Sequence, residues 1–176
     1  MKKRTSLDFS KHELFIIEND LVKIHHLKKP NTNIDNIKFI NCQGIMTVTG
    51  DYGNWVFCRQ FIPVNSGETV SGGYWKEKLR ISSSQEPDEF NPELTTKQIN
   101  ELLLEEDISE EHKEYYEELL SVVDEGEFWY KSKAYGDIPR DLDAESVPCA
   151  MKTQYWLLVI FDAFEEICSR LPKETN

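Results

Sequence analysis

Along the first third of the chain, hydrophobic and polar residues alternate with a period of two, the pattern of strands that bury one face. Residues 13–18 (Glu-Leu-Phe-Ile-Ile-Glu) and 21–27 (Leu-Val-Lys-Ile-His-His-Leu) predict two strands joined at Asn19-Asp20. In the second, Leu21, Lys23, His25 and Leu27 fall on one face and Val22, Ile24 and His26 on the other. Pro30 and the Asn/Thr run around it predict a loop. Residues 36–42 and 45–49 predict the next two strands about a Gln43-Gly44 turn, and 54–58 a fifth after Gly50-Asp51-Tyr52-Gly53. Short strands with short turns argue for an antiparallel meander of about five strands.

Beyond residue 60 the period changes. Residues 63–73 hold Pro63, Gly67, Gly72 and Gly73 and predict a loop, followed by a short helix over 74–79. The Ser/Gln/Pro run at 82–87 ends that helix and marks a boundary between a β-rich region, 1–85, and an acidic helical region, 86–176, within one compact domain. Thr95 or Thr96 is placed to cap a helix over 97–107, and Ser109 a second running to about Asp124. The second helix carries an apolar stripe of Tyr115, Tyr116, Leu119, Leu120, Val122 and Val123. Aromatic residues crowd 127–135, a long loop is expected over 136–148, and residues 150–171 predict a closing helix. Its face of Trp156, Val159, Ile160, Phe164 and Ile167 is apolar enough to make it the central packing element. The expected fold is α+β: the meander, then helices, with the C-terminal apolar helix packed on the sheet.

Charge sharpens this picture. The 176 residues carry 20 Lys+Arg and 32 Asp+Glu, a formal charge of −12. Residues 86–130 alone hold 16 acidic and 2 basic side chains, so the acidity is one block on a near-neutral chain. Direct nucleic-acid binding through that block is excluded, because phosphate attraction needs cations. The longest apolar run, 155–161, is seven residues, against about 20 for a membrane span. No signal-peptide core follows the basic start, so a soluble protein that stays where it is made is expected.

Cys42, Cys58, Cys149 and Cys168 form no Cys-x-x-Cys pair and read as buried, reduced thiols. His25 and His26, if on a strand, point to opposite faces and cannot share a metal. Phosphate-binding, nucleophile-elbow, zinc-protease and EF-hand signatures are absent. No catalytic residue, metal or cofactor is assigned on these grounds.

The block from His12 to Leu79 resembles a family of phage- and prophage-encoded small proteins. The resemblance rests on an ordered series: His12, Leu21, His26-Leu27, the Lys28/Pro30/Thr32 loop, Phe39, Gly44, Thr49-Gly50-Asp51-Tyr52-Gly53, Val56, Phe57 and Arg59. Gly73-Tyr74-Trp75 and Glu77-Lys78-Leu79 close it, and the Trp156-bearing helix matches the family's closing apolar helix. The chain departs from the family at Gln60-Phe61-Ile62-Pro63, where an acidic-aromatic segment is usual. The resemblance implies an accessory protein of a phage or mobile element acting in the bacterial cytoplasm, a class that often inhibits host enzymes or host defence.

Two surfaces emerge as candidates. Glu105, Glu106, Asp107, Glu110, Glu111, Glu114, Glu117 and Glu118, with Glu101 before them, form an acidic run; residues 98–112 contain no Lys or Arg. Such a run copies a row of phosphates and suits a basic groove on a host protein, in the manner of an anti-CRISPR or anti-restriction inhibitor. Tyr74 and Trp75, after a Gly-rich loop, are candidate partner contacts. The alternative is a small enzyme or ligand-sequestering protein with a polar cluster of Asp51, Arg59, Glu77 and Lys78. The bland readings compete with both: a β-turn at Gly50–Gly53, an anchored Trp75, and a merely solvated acidic face. The oligomeric state is left open.

Overall fold

The computed structural model describes residues 3–32, 34–64, 69–82, 86–105, 107–123, 138–139, 142 and 147–172. The chain divides into two compact units: Met1–Pro87 with Thr153–Asn176, and Asp88–Lys152. The fold is mixed α+β.

The first unit is built on a six-stranded antiparallel meander whose spatial order equals its chain order. The strands are β1 (Glu13–Glu18), β2 (Val22–Lys28), β3 (Asn36–Cys42), β4 (Ile45–Gly50), β5 (Trp55–Phe57) and β6 (Leu79–Ser82). The β1–β2 turn needs no glycine because Asn19 Oδ1 accepts from the N–H groups of Leu21 and Val22, both at 2.9 Å. The β3–β4 turn takes positive φ at both Gln43 (46°) and Gly44 (87°), matching the strand twist.

Side-chain alternation splits the sheet into two faces. Leu27, Ile37, Phe39, Met46, Val48, Trp55 and Phe57 are buried on one of them. A closing helix, α4 (Tyr155–Arg170), covers this face: Phe164 meets Phe39 with ring centroids 5.7 Å apart. A short helix, α1 (Gly72–Lys78), adds Trp75, which stacks on Phe61 at 4.2 Å and meets Phe57, Phe161 and Phe164 edge-on. On the other face, Ile17, Ile24, Ile40, Thr47, Val56 and Ile81 stand directly opposite one another across all six strands.

Three boundaries differ from the sequence expectation. The short helix starts at Gly72, and the expected helix end is a sixth strand, because Leu79-Arg80-Ile81-Ser82 pairs with β5 through a bulge. The first acidic helix, α2 (Pro92–Leu102), begins five residues before the expected 97. Asn91 caps it and Pro92 fits its first turn, while Thr95 is buried inside it and accepts from the Ala150 N–H at 2.9 Å. The closing helix starts at Tyr155, capped by Gln154, because β8 (Met151–Thr153) pairs with β7 (Asp88–Phe90).

The second unit holds β7, α2 and α3 (Glu110–Val122), capped by Ser109, whose hydroxyl accepts from the His112 N–H at 3.2 Å. Its core is Ile99, Tyr115, Tyr116, Leu119, Val123 and Val147. The aromatic run 127–135 and most of the expected 136–148 loop lie outside the described residues. Among the described residues no helix is long and apolar enough to cross a membrane.

Candidate functional site

The acidic surface is set by what α3 buries. Tyr115, Tyr116, Leu119 and Val122 face inward, which fixes the helix rotation and turns Glu110, Glu111, Glu114, Glu117 and Glu118 to solvent. Glu105 and Asp107, before the cap, are also exposed; Glu106 lies outside the described residues. Lys113 stands 3.9 Å from Glu110 and Lys97 3.6 Å from Glu101. Glu111, Glu114 and Glu117 make no ion pair among the described residues. Neither α2 nor α3 has a basic residue in its last turn to offset the negative end of the helix. Residues 88–152 hold 6 Lys+Arg against 19 Asp+Glu, while the rest of the chain is close to neutral. Burial, then Tyr116 and Glu118, push the Tyr115 hydroxyl up to about 12.

The four-residue polar cluster does not assemble. Asp51 sits in the turn after β4, where its carboxylate accepts from the Asn36 backbone N–H (2.9 Å) and side-chain amide (3.0 Å). Gly50 before it has φ 141°, and a Cβ there would lie 2.1 Å from the Asn36 carbonyl oxygen. Tyr52 donates to Asp35 at 2.9 Å, and its backbone oxygen accepts from the Trp55 indole at 2.9 Å. The Gly50-Asp51-Tyr52-Gly53 motif is therefore a structural turn. Arg59 and Lys78 lie at the opposite end of the β4–β5 hairpin, roughly 20 Å from Asp51 by strand rise.

At that far end the structure builds something else. An open cavity of about 510 Å³ is lined by Gly44, Cys58, Arg59, Gln60 and Lys78. The Tyr74 ring has the Arg59 guanidinium at 5.3 Å and the Lys78 ammonium at 5.1 Å from its centroid. Lys78 is also ion-paired with Glu77, which holds the ammonium's pKa above its ordinary value. Arg59 has no carboxylate partner among the described residues. Such a cavity suits a small anion with a planar group to lie along the guanidinium.

Two further expectations are corrected here. Trp75 is 3% exposed and belongs to the aromatic core, so it anchors α1 and cannot meet a partner; only Tyr74 keeps a half-exposed ring. Cys58 is exposed, because it follows the core residue Phe57 and so points away from the core, while Cys168 is buried and Cys42 and Cys149 are partly so. None of the four cysteines is disulfide-bonded, and His25 and His26 lie on opposite faces as expected. Among the described residues no group of three or more His, Cys, Asp or Glu could hold a metal ion.

The sequence reading missed one polar centre. Asp162 and Glu165 on α4 are buried, and the N-terminal segment satisfies them. Asp162 accepts from the backbone N–H groups of Arg4 and Thr5, the Thr5 hydroxyl (2.8 Å) and the Arg4 guanidinium (3.3 Å). Glu165 accepts from Arg4 at 2.7 Å and from the Val70 N–H at 2.6 Å. Two acids inside the most apolar helix, matched by one early arginine, were the available signal.

No family model, curated protein or solved structure matches this chain.

Proposed function

We propose that this chain is an accessory protein of a phage or mobile element that acts by binding, its α2–α3 acidic surface docking on a basic surface of a host protein. The observation that carries this reading is the exposed Glu110, Glu111, Glu114, Glu117 and Glu118 row, fixed outward by the buried Tyr115, Tyr116, Leu119 and Val122. Like charges three and four residues apart cost a helix tenths of a kcal/mol per pair, roughly 0.2–0.5 each. A face selected for stability alone would intersperse lysine. The same row offers carboxylates at a helical repeat to a groove evolved for phosphates, and the partner class that fits best is a nucleic-acid enzyme of host defence, a restriction or CRISPR nuclease. The family resemblance of the His12–Leu79 block supports the phage context.

The test is a nuclease-inhibition assay with the unaltered protein and the quadruple variant Glu110→Lys, Glu111→Lys, Glu114→Lys, Glu117→Lys. Inhibition by the first and none by the second is expected, with circular dichroism confirming that the variant is folded. Inhibition that survives the reversal would rule out the acidic surface.

A second reading is sequestration of a small anion in the Cys58/Arg59/Gln60/Lys78 cavity, favoured by the Arg59 guanidinium, which lies over the Tyr74 ring and has no carboxylate partner among the described residues. Native mass spectrometry of the protein as purified reads it directly: a bound mass lost on Arg59→Ala supports it, and the bare chain mass counts against it.

A further inference from the structure

Strand β1 is one edge of the meander, and among the described residues its strand partner is β2 alone. Natural edge strands are shortened, bulged or given a charge so that they do not pair with another chain. The opposite edge obeys: β6 has four residues, Arg80 among them, and a register irregularity against β5. β1 does not. It has six residues, and its inner four are Leu14, Phe15, Ile16 and Ile17. Phe15 is 48%, Ile16 47% and Ile17 59% exposed, so apolar surface shows on both faces of this edge.

The backbone fixes how a partner strand would fit. The Asn19 N–H donates to the Val22 carbonyl at 3.0 Å, which makes Asn19 and Val22 a hydrogen-bonded pair. Such pairs alternate along antiparallel strands. Ile17, Phe15 and Glu13 therefore turn their N–H and C=O groups toward β2, and Glu18, Ile16 and Leu14 turn theirs outward. The three outward residues also share one face of the sheet. Two β1 strands paired antiparallel about a two-fold axis at Ile16 meet both conditions at once. Ile16 faces Ile16 of the other copy, Leu14 faces Glu18, and Phe15 faces Ile17. No carboxylate opposes another: Glu18 is ion-paired with Lys23 of its own copy, and Glu13 stands across from Lys28. A one-residue slip would set Glu13 against Glu18 and reverse the faces. In this register the contact is isologous, because the same segment serves both copies and no carboxylate is set against another.

We infer that β1 is a self-pairing edge: two copies of this chain join β1 to β1, antiparallel and centred on Ile16, into one continuous sheet. Sedimentation of the full chain from micromolar to millimolar concentration gives twice the chain mass at the upper end. Ile16→Lys places a charge at the two-fold axis and returns the chain mass, while Ile81→Lys on the opposite edge leaves the dimer intact. Backbone amide exchange is independent of any variant. Raising the concentration slows exchange at Leu14, Ile16 and Glu18 by about tenfold or more, while Phe15 and Ile17, already bonded to β2, change little. A chain that stays monomeric, a dimer that persists in folded Ile16→Lys, or exchange that does not slow at those three amides overturns the inference. If Ile16→Lys does not fold, the exchange pattern decides. Loss of the dimer in Ile81→Lys with unchanged β1 exchange places the contact on the outer sheet face and also overturns it.

Discussion

Asp162 shows how much one side chain can hold. It gathers four donors from Arg4 and Thr5 onto an otherwise apolar helix, and its neighbour Glu165 takes the second arm of the same guanidinium. Asp162→Ala leaves those donors without their acceptor inside the protein and is expected to cost about 3 kcal/mol or more in urea unfolding. His25 carries a pH dependence. Its ring is buried opposite Phe39 with Nδ1 unpartnered, and burial holds its pKa below the ordinary value; nearby Glu18 opposes this and Lys23 adds to it. The unfolded chain takes up this proton near pH 6.5 and the folded chain only at lower pH. Unfolding therefore gains protons in that window, so stability is full above about pH 6.5 and falls as pH drops toward the folded pKa. His25→Phe is expected to reduce the change in urea midpoint between about pH 7.5 and about 5.5, leaving the parts from His12 and His26, which shift the same way. At this scale the sequence was least legible. Trp75 and Arg59 look alike as exposed-loop candidates in one dimension; only the packed aromatic core separates the buried indole from the open guanidinium.

Elements were more legible, and for a physical reason. The period-two pattern of β1 to β5 follows from a sheet with one covered face, so strands 36–42 and 13–18 were readable to the residue. The sixth strand was hidden because its alternation lasts four residues and follows a helix with no intervening turn. The start of α2 was misread because Thr95 and Thr96 resemble caps, while the real cap is Asn91 ahead of a proline. Asn91→Ala is accordingly expected to lower stability by about 1 kcal/mol, and Thr96→Ala by much less. The acidic face yields a less intuitive expectation. Replacing Glu110, Glu111, Glu114 and Glu117 by Lys removes mutual repulsion along α3, although it forfeits the acids that favour the positive end of the helix. The variant is expected to melt within a few degrees of the unaltered protein while losing the proposed inhibition, a combination that unfolding cannot produce.

For the molecule as a whole, charge follows the division into units. Residues 88–152 carry nearly all the excess of acid, so raising salt is expected to increase the stability of that unit and leave the sheet unit almost unchanged, as melting curves at low and high ionic strength would show. The Gln154 N–H donates to the Pro87 carbonyl at 3.0 Å, so the two stretches of the sheet unit that flank residues 88–152 are hydrogen-bonded to each other. Joining 87 to 153 through a short glycine linker is expected to yield a folded sheet unit that keeps the near-ultraviolet signal of its own aromatic core, because Trp55, Trp75 and Phe164 are all retained, and loses the contribution of Tyr115 and Tyr116. That arrangement also sets a timetable. A ribosome releases all six strands, and then the entire acidic unit, before the helix that covers them. Throughout that interval Phe39, Val48 and Trp55 wait uncovered, and chaperones that recognise nascent apolar sheets have their longest opportunity here. A stalled or truncated message would leave behind a sheet with no lid and a highly soluble acidic tail to carry it.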